Sequence, residues 1–290
     1  MRWKGRRTSR NIEDRRGQGG QGGRRVGKTG GIGGLGLVAV LVIGYFLGID
    51  VSPLLQQTGG AGVQQPQGGG QITQADREAG EFVSVVLADT EEVWAEIFRD
   101  QVGRDYRPAT LVLFKGATQS PCGGANGASG PFYCPADRKA YLDTDFFTTL
   151  SRRLGASGDF AAAYVVAHEV AHHVQNELGI LMKANQIRRQ VSQAESNAIS
   201  VRIELQADCY SGIWARYAQA RFNSLERGDL GEAINAAKQI GDDTLQRNAG
   251  QRPNPHSFTH GTSEQRQRWF KTGYESAKVQ ACDTFGTQRL

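Results

Sequence analysis

His168-Glu169-Val170-Ala171-His172 sits inside an apolar run over 160–178, and it constrains the chain more than any other stretch. On an α-helix, residues four apart share a face, so His168 and His172 can offer both imidazoles to one metal ion. Glu169 is turned about 100° from His168, where it can act on a water at that ion without being a ligand. Zinc hydrolysis needs two neutral nitrogen ligands, an open coordination position and a carboxylate base beside it.

Two histidines make half a site, because a catalytic zinc usually takes three protein ligands and water. The metzincin continuation would need Gly at 175 and His at 178, and the chain has Gln175 and Leu178. The other common solution is a carboxylate on a second helix. Glu204-Leu205-Gln206-Ala207-Asp208, on a helical run over 196–222, supplies it. Glu204 and Asp208 share a face, so Glu204 can bind metal while Asp208 accepts the free ring N–H of a zinc histidine. Spacing alone leaves Glu204, Asp208, Glu195 and His260 as possible third donors. The chain has only five histidines in 290 residues, so chance is a poor explanation for both patterns together. His173 lies off the ligand face and suits a structural hydrogen bond near the site.

These motifs, with Gly130-Pro131-Phe132-Tyr133-Cys134-Pro135, Tyr141-Leu142-Asp143 and Thr259-His260-Gly261-Thr262-Ser263-Glu264-Gln265-Arg266, resemble the neutral zinc metallopeptidases of bacteria (YpfJ type). The resemblance covers most of the chain. It implies a helix-rich α+β, zincin-like metallopeptidase domain with a gluzincin-like site, and a peptide or protein as substrate. One Zn2+ per chain is expected on His168, His172 and Glu204, with Glu169 as general base and Asp208 orienting His168. The tetrahedral oxyanion also needs a donor. His260 is the leading candidate, with His256 and Tyr210 behind it, and the alternative is that His260 only caps the last helix.

The net charge of +5 is unevenly spread, since residues 1–30 carry +8 and the remainder −3. A basic tail on a mildly acidic body does not suggest a nucleic-acid-binding domain. Residues 1–29 are rich in Arg, Gly and Gln, and read as a disordered cytoplasmic tail. Gly22-Gly23-Arg24-Arg25-Val26-Gly27-Lys28-Thr29 matches the phosphate-loop pattern but lacks a strand before it, so nucleotide binding is not expected. Residues 30–49 hold no charge. At about 1.5 Å each they span roughly 30 Å, the thickness of the hydrocarbon core, and predict a single membrane crossing. The basic flank places the N-terminus inside and the domain outside the bacterial cell membrane. Residues 50–75 read as a Gly/Gln-rich linker, and 76–290 as the folded domain.

Within that domain, Ala79, Phe82, Val86, Val93 and Ile97 predict a helix over 76–98. A buried strand is expected at 110–114, then a Gly-rich loop, then an extended segment over 132–142 with Pro135 on an edge strand. That edge either pairs with an extended peptide or only covers the helix. Further helices are expected to end near 151–155, to run from an Asp159 cap to about 178, from a Ser192/Glu195 capping box through Glu204, over 230–240, and from Thr262 through about 280. An even cysteine count outside the cytoplasm favours two bridges, expected as Cys122–Cys134 and Cys209–Cys282. The competing class is a non-catalytic envelope protein whose zinc is structural, although such a site would have no use for Glu169.

Overall fold

The computed structural model of the chain describes residues 1–17, 72–126 and 130–290. The expected crossing at 30–49, most of the linker and the phosphate-loop pattern lie outside them. Among the described residues, no helix is long and apolar enough to cross a membrane. The architecture is helix-rich α+β.

Helix α1 (Gln74–Ile97) starts at a capping box: Thr73 Oγ1 accepts the Asp76 N–H at 3.1 Å, and Asp76 Oδ2 accepts the Thr73 N–H at 2.8 Å. It buries the expected Phe82, Val86, Val93 and Ile97, and also Val83, Leu87 and Trp94, so more than one face is covered. The main sheet has the order β1-β2-β6-β5, from Ile12–Asp14, Thr110–Phe114, Lys139–Asp143 and Phe132–Cys134. The first three strands are parallel, while β5 runs antiparallel to β6 and forms an edge. The segment 132–142 is therefore a hairpin, and Pro135 lies in its turn, where the missing N–H removes no ladder bond. The Gly-rich stretch contains a second hairpin, β3 (Ala117–Ser120) with β4 (Gly123–Asn126). The short helix α2 is Phe146–Arg152.

Helix α3 (Asp159–Glu177) carries the two histidines. It is buried nearly all round, its polar His168, Glu169, His173 and Gln175 included. Asp159 does not cap it: Glu232 Oε2 accepts the Phe160 N–H at 3.0 Å, and Asp159 instead lies 2.5 Å from the Met1 ammonium. Gly179, with φ +76°, ends the run and starts α4 (Ile180–Arg188), a turn that an L side chain adopts poorly. Helix α5 (Gln193–Phe222) begins at the expected Ser192/Glu195 box. After α6 (Asp229–Gln239) and α7 (Asp242–Asn248) comes α8 (Ser263–Ser276), opened by the Thr262/Gln265 box. Ala277 at φ +53° stops α8 earlier than expected.

Helices α5 and α8 cross in close contact because two glycines face across the join. A Cβ on Gly212 would lie 2.0 Å from the Phe270 carbonyl oxygen, and one on Gly273 1.8 Å from that of Cys209. The bridge Cys209–Cys282 ties α5 to the short turn Val279–Cys282 that follows α8, and Cys122–Cys134 ties β4's hairpin to the edge strand. Both expected pairings are present.

The N-terminal residues differ from expectation. Residues 1–17 are not disordered: β1 pairs with β2 in the register Ile12↔Leu111, and Trp3 packs edge-on against Phe82 at 5.4 Å. The reason is charge complementarity with a distant part of the chain. Arg6 reaches Asp89 at 2.5 Å, Arg7 reaches Glu92 at 2.8 Å, and Lys139 reaches Glu13 at 2.6 Å. A single crossing at 30–49 would place β1 and β2 on opposite sides of a membrane, so that crossing and this pairing are incompatible in one molecule.

Candidate metal centre

Helices α3 and α5 present their polar side chains to one point. His168 Nε2 lies 3.0 Å from Glu204 Oε2, and His172 Nε2 lies 3.5 Å from Glu204 Oε1. Ligand-capable atoms of all three residues fall within 4.8 Å of one another. The other ring nitrogens face outer partners. His168 Nδ1 is 3.0 Å from Asp208 Oδ1, a close contact angled away from a full hydrogen bond. His172 Nδ1–H donates to Gln175 Oε1 at 2.9 Å, and Gln175 is itself fixed by donating to the Ile203 carbonyl at 2.7 Å. Both Nε2 atoms are thereby turned toward Glu204. Two imidazole nitrogens and a carboxylate, oriented by outer partners, form a donor set that fits zinc.

Charge supports the same reading. Burial disfavours a cationic His168, yet Asp208 and Glu204 together hold its pKa up at about 9. Burial also opposes ionisation of Glu204, but His172 and His168 keep its carboxyl well below the ordinary range. The point attracts positive charge, and a divalent cation would answer the same field.

Asp208 is fully buried and closed on Arg266, whose Nε and Nη2 donate to its two oxygens at 2.8 and 2.9 Å. Tyr164 O–H donates to Asp208 Oδ1 at 2.5 Å. Burial opposes ionisation of Asp208, but Arg266 and His168 together hold its carboxyl below its ordinary pKa. Sequence reasoning missed Tyr164 and Arg266, although Tyr164, His168 and His172 recur at four-residue spacing along one helix face.

Glu169 is 7 % exposed, and its Oε2 has no hydrogen-bond partner among the described residues. Burial raises its pKa, against the pull of His172 and His168. It lines a cleft of about 260 Å3 with His168, His172 and Glu204, bordered by Phe132 and Tyr133 of the edge strand.

The remaining candidates are not among the residues that line the cleft. His260 Nδ1 is 3.2 Å from Asp242 Oδ1, and the N–H groups of Thr259, His260 and Gly261 all donate to Asp242 Oδ2 at 2.7–2.9 Å. It does not line the cleft, though the charge of Glu204 helps raise its pKa, behind the lowering effect of burial and the contact with Asp242. Tyr210 packs in the core against Trp94, 5.5 Å between rings, and His256 is exposed. Glu195 is spent on its capping box. His173 Nε2–H donates to the Arg107 carbonyl at 2.7 Å, and its Nδ1 accepts the Tyr133 O–H at 3.1 Å, which ties α3 to β5.

A helix pair that brings two histidines and a carboxylate together, with a buried carboxylate beside them, has the make-up of a metal-binding centre. The chain belongs to the family described as "Putative neutral zinc metallopeptidase", whose model matches residues 1–285. It is 46% identical over 290 residues to the "Uncharacterized protein YpfJ" of Escherichia coli K12, covering 99% of each chain. It is also 44% identical over 195 residues to "Uncharacterized protein Rv2575" of Mycobacterium tuberculosis H37Rv, covering 64% of this chain and 65% of that one. No solved structure matches.

Proposed function

We propose that this chain is a zinc-dependent metalloendopeptidase that holds one zinc ion on His168, His172 and Glu204. The observation that carries the proposal is Glu169, a buried carboxylate with an unpartnered oxygen, set in the same cleft as the donor set. A structural site would close with four protein ligands and leave such a group without purpose. Zinc, when bound, supplies Lewis acidity and lowers the pKa of water.

The chain's own residues account for the rest. Glu169 takes a proton from the attacking water and returns it to the leaving amine, and burial raises its proton affinity toward what a general base and acid needs. Asp208 and Gln175 hold the two imidazoles in the tautomer that leaves Nε2 available. An extended substrate adds to the open edge of β5 by main-chain hydrogen bonds, which would draw its backbone along the cleft. His260, held by Asp242 and under the influence of Glu204, is proposed as the oxyanion donor. The fold is proposed to be zincin-like.

The test is metal analysis of the purified chain combined with cleavage of unfolded protein and peptide substrates. One equivalent of zinc and chelator-sensitive cleavage are expected. Full zinc content with no cleavage of any substrate would favour the non-catalytic reading.

A further inference from the structure

The cleft contains one guanidinium. Arg188 ends α4 and is half-buried in the cleft wall that also presents Leu181 and Asn185. Its Nε donates to Ser196 Oγ at 3.2 Å and its Nη1 to Asn185 Oδ1 at 3.2 Å. Both acceptors are neutral, and Arg188 forms no ion pair among the described residues. Arg266, the other arginine near the centre, is by contrast closed on Asp208. Arg188 is thus oriented by two short polar side chains while most of its five N–H groups are unassigned. Burial lowers its pKa, against the pull of Glu204 in the same cleft, but a guanidinium remains charged in proteins.

A partly desolvated, pre-oriented guanidinium is suited to a planar carboxylate, which it can hold through two parallel hydrogen bonds. Arg188 is the only lysine or arginine among the residues that line the cleft. Glu169 and Glu204 carry their charge at the histidine end, where a metal would sit. Of the rest of the lining, Tyr133, Asn185 and Ser200 are neutral polar residues and Phe132, Pro135, Leu181 and Ile203 apolar ones. Away from the metal, the Arg188 end is the part of the cleft where a carboxylate meets a fixed positive charge, which would fix the direction in which a peptide lies. We propose that Arg188 is a specificity-determining residue that binds a carboxylate of the peptide substrate close to the cleaved bond. The carboxylate is either an acidic side chain or a free C-terminus. This rests on the peptidase reading of the site.

The test is binding of fluorescein-labelled peptides to the zinc-loaded full chain by fluorescence anisotropy. The peptides form matched pairs, Glu against Gln at one position and free acid against amide at the C-terminus, in pools randomised elsewhere. The wild type should bind one carboxylate-bearing pool about 10-fold or more tighter than its neutral match. Arg188→Gln should level the pair at unchanged zinc content, and Arg188→Lys should restore part of the difference. A difference confined to Glu against Gln identifies a side chain as the ligand; one confined to acid against amide identifies the C-terminus. Matched pools that bind the wild type alike, or not at all, would overturn the proposal, as would a preference that survives in Arg188→Gln. Turnover of the same pools reports separately: selective binding without cleavage would sink the peptidase reading and leave the role of Arg188 standing.

Discussion

His168 stands between two carboxylates, with Nε2 3.0 Å from Glu204 and Nδ1 3.0 Å from Asp208. The two acids differ in what else they touch. Asp208 is saturated by Arg266 and Tyr164, whereas Glu204 also faces His172. Glu204→Ala should therefore purify without zinc. Asp208→Ala should keep zinc at an affinity weakened by about 10–100-fold, measured by competition with a chelator. A full equivalent of zinc in Glu204→Ala, with loss in His260→Ala, would move the third ligand to His260.

The crossing of α5 and α8 carries Asp208 and Arg266 into contact, so its closeness matters to the site. Gly→Ala within an exposed helix is stabilising by about 0.5–1 kcal/mol. At Gly273 the sign should reverse, because the added methyl would meet the Cys209 carbonyl 1.8 Å away. A loss of roughly 1–3 kcal/mol or more is expected, read as a lower midpoint in thermal unfolding.

Asp89, on α1, is buried beneath Arg6, and burial outweighs Arg6 to hold its pKa at about 7. A carboxyl whose folded pKa exceeds its unfolded value binds its proton more tightly when folded. Its contribution to stability is therefore present below pH about 4 and is lost as pH rises toward 7, in total on the order of 4 kcal/mol. Asp89→Asn should flatten this slope in denaturant titrations run across that window. An unchanged slope would show that Asp89 is ionised throughout.

Much of the site was legible because it is local. The four-residue spacings in His168–His172 and Glu204–Asp208 are properties of single helices, and capping boxes at Ser192 and Thr262 mark helix starts within three residues. What escaped depends on pairing across long distances. Arg6 and Arg7 read as part of a disordered basic tail because Asp89 and Glu92 lie some eighty residues on. β1 has no apolar alternation of its own, since its charged side chains are matched by Arg15, Arg16 and Lys139. Arg266 looks like a surface residue of an amphipathic helix until the Gly273 contact brings it onto Asp208. The pairing Cys209–Cys282 spans 73 residues, and its expectation rests on the even cysteine count and the compartment rather than on spacing.

Pairing of β1 with β2 makes a prediction about compartments. Arg10 and Arg252 are both exposed. Arg10→Cys and Arg252→Cys, each in the otherwise fully disulfide-bonded chain, should react with a membrane-impermeant thiol reagent from the same side in intact cells. Labelling from opposite sides would show that residues 30–49 cross once and that β1 does not pair with β2 in the cell.

The central claim is that Glu169 is the base and not a ligand. The most direct measurement is zinc content and peptide hydrolysis of Glu169→Gln beside the wild type, which keeps the side-chain size and removes the charge. One equivalent of zinc is predicted, with hydrolysis reduced by 100-fold or more, of the order that general base catalysis supplies (about 10²–10⁴). Cleavage at a rate comparable to wild type would contradict the mechanism.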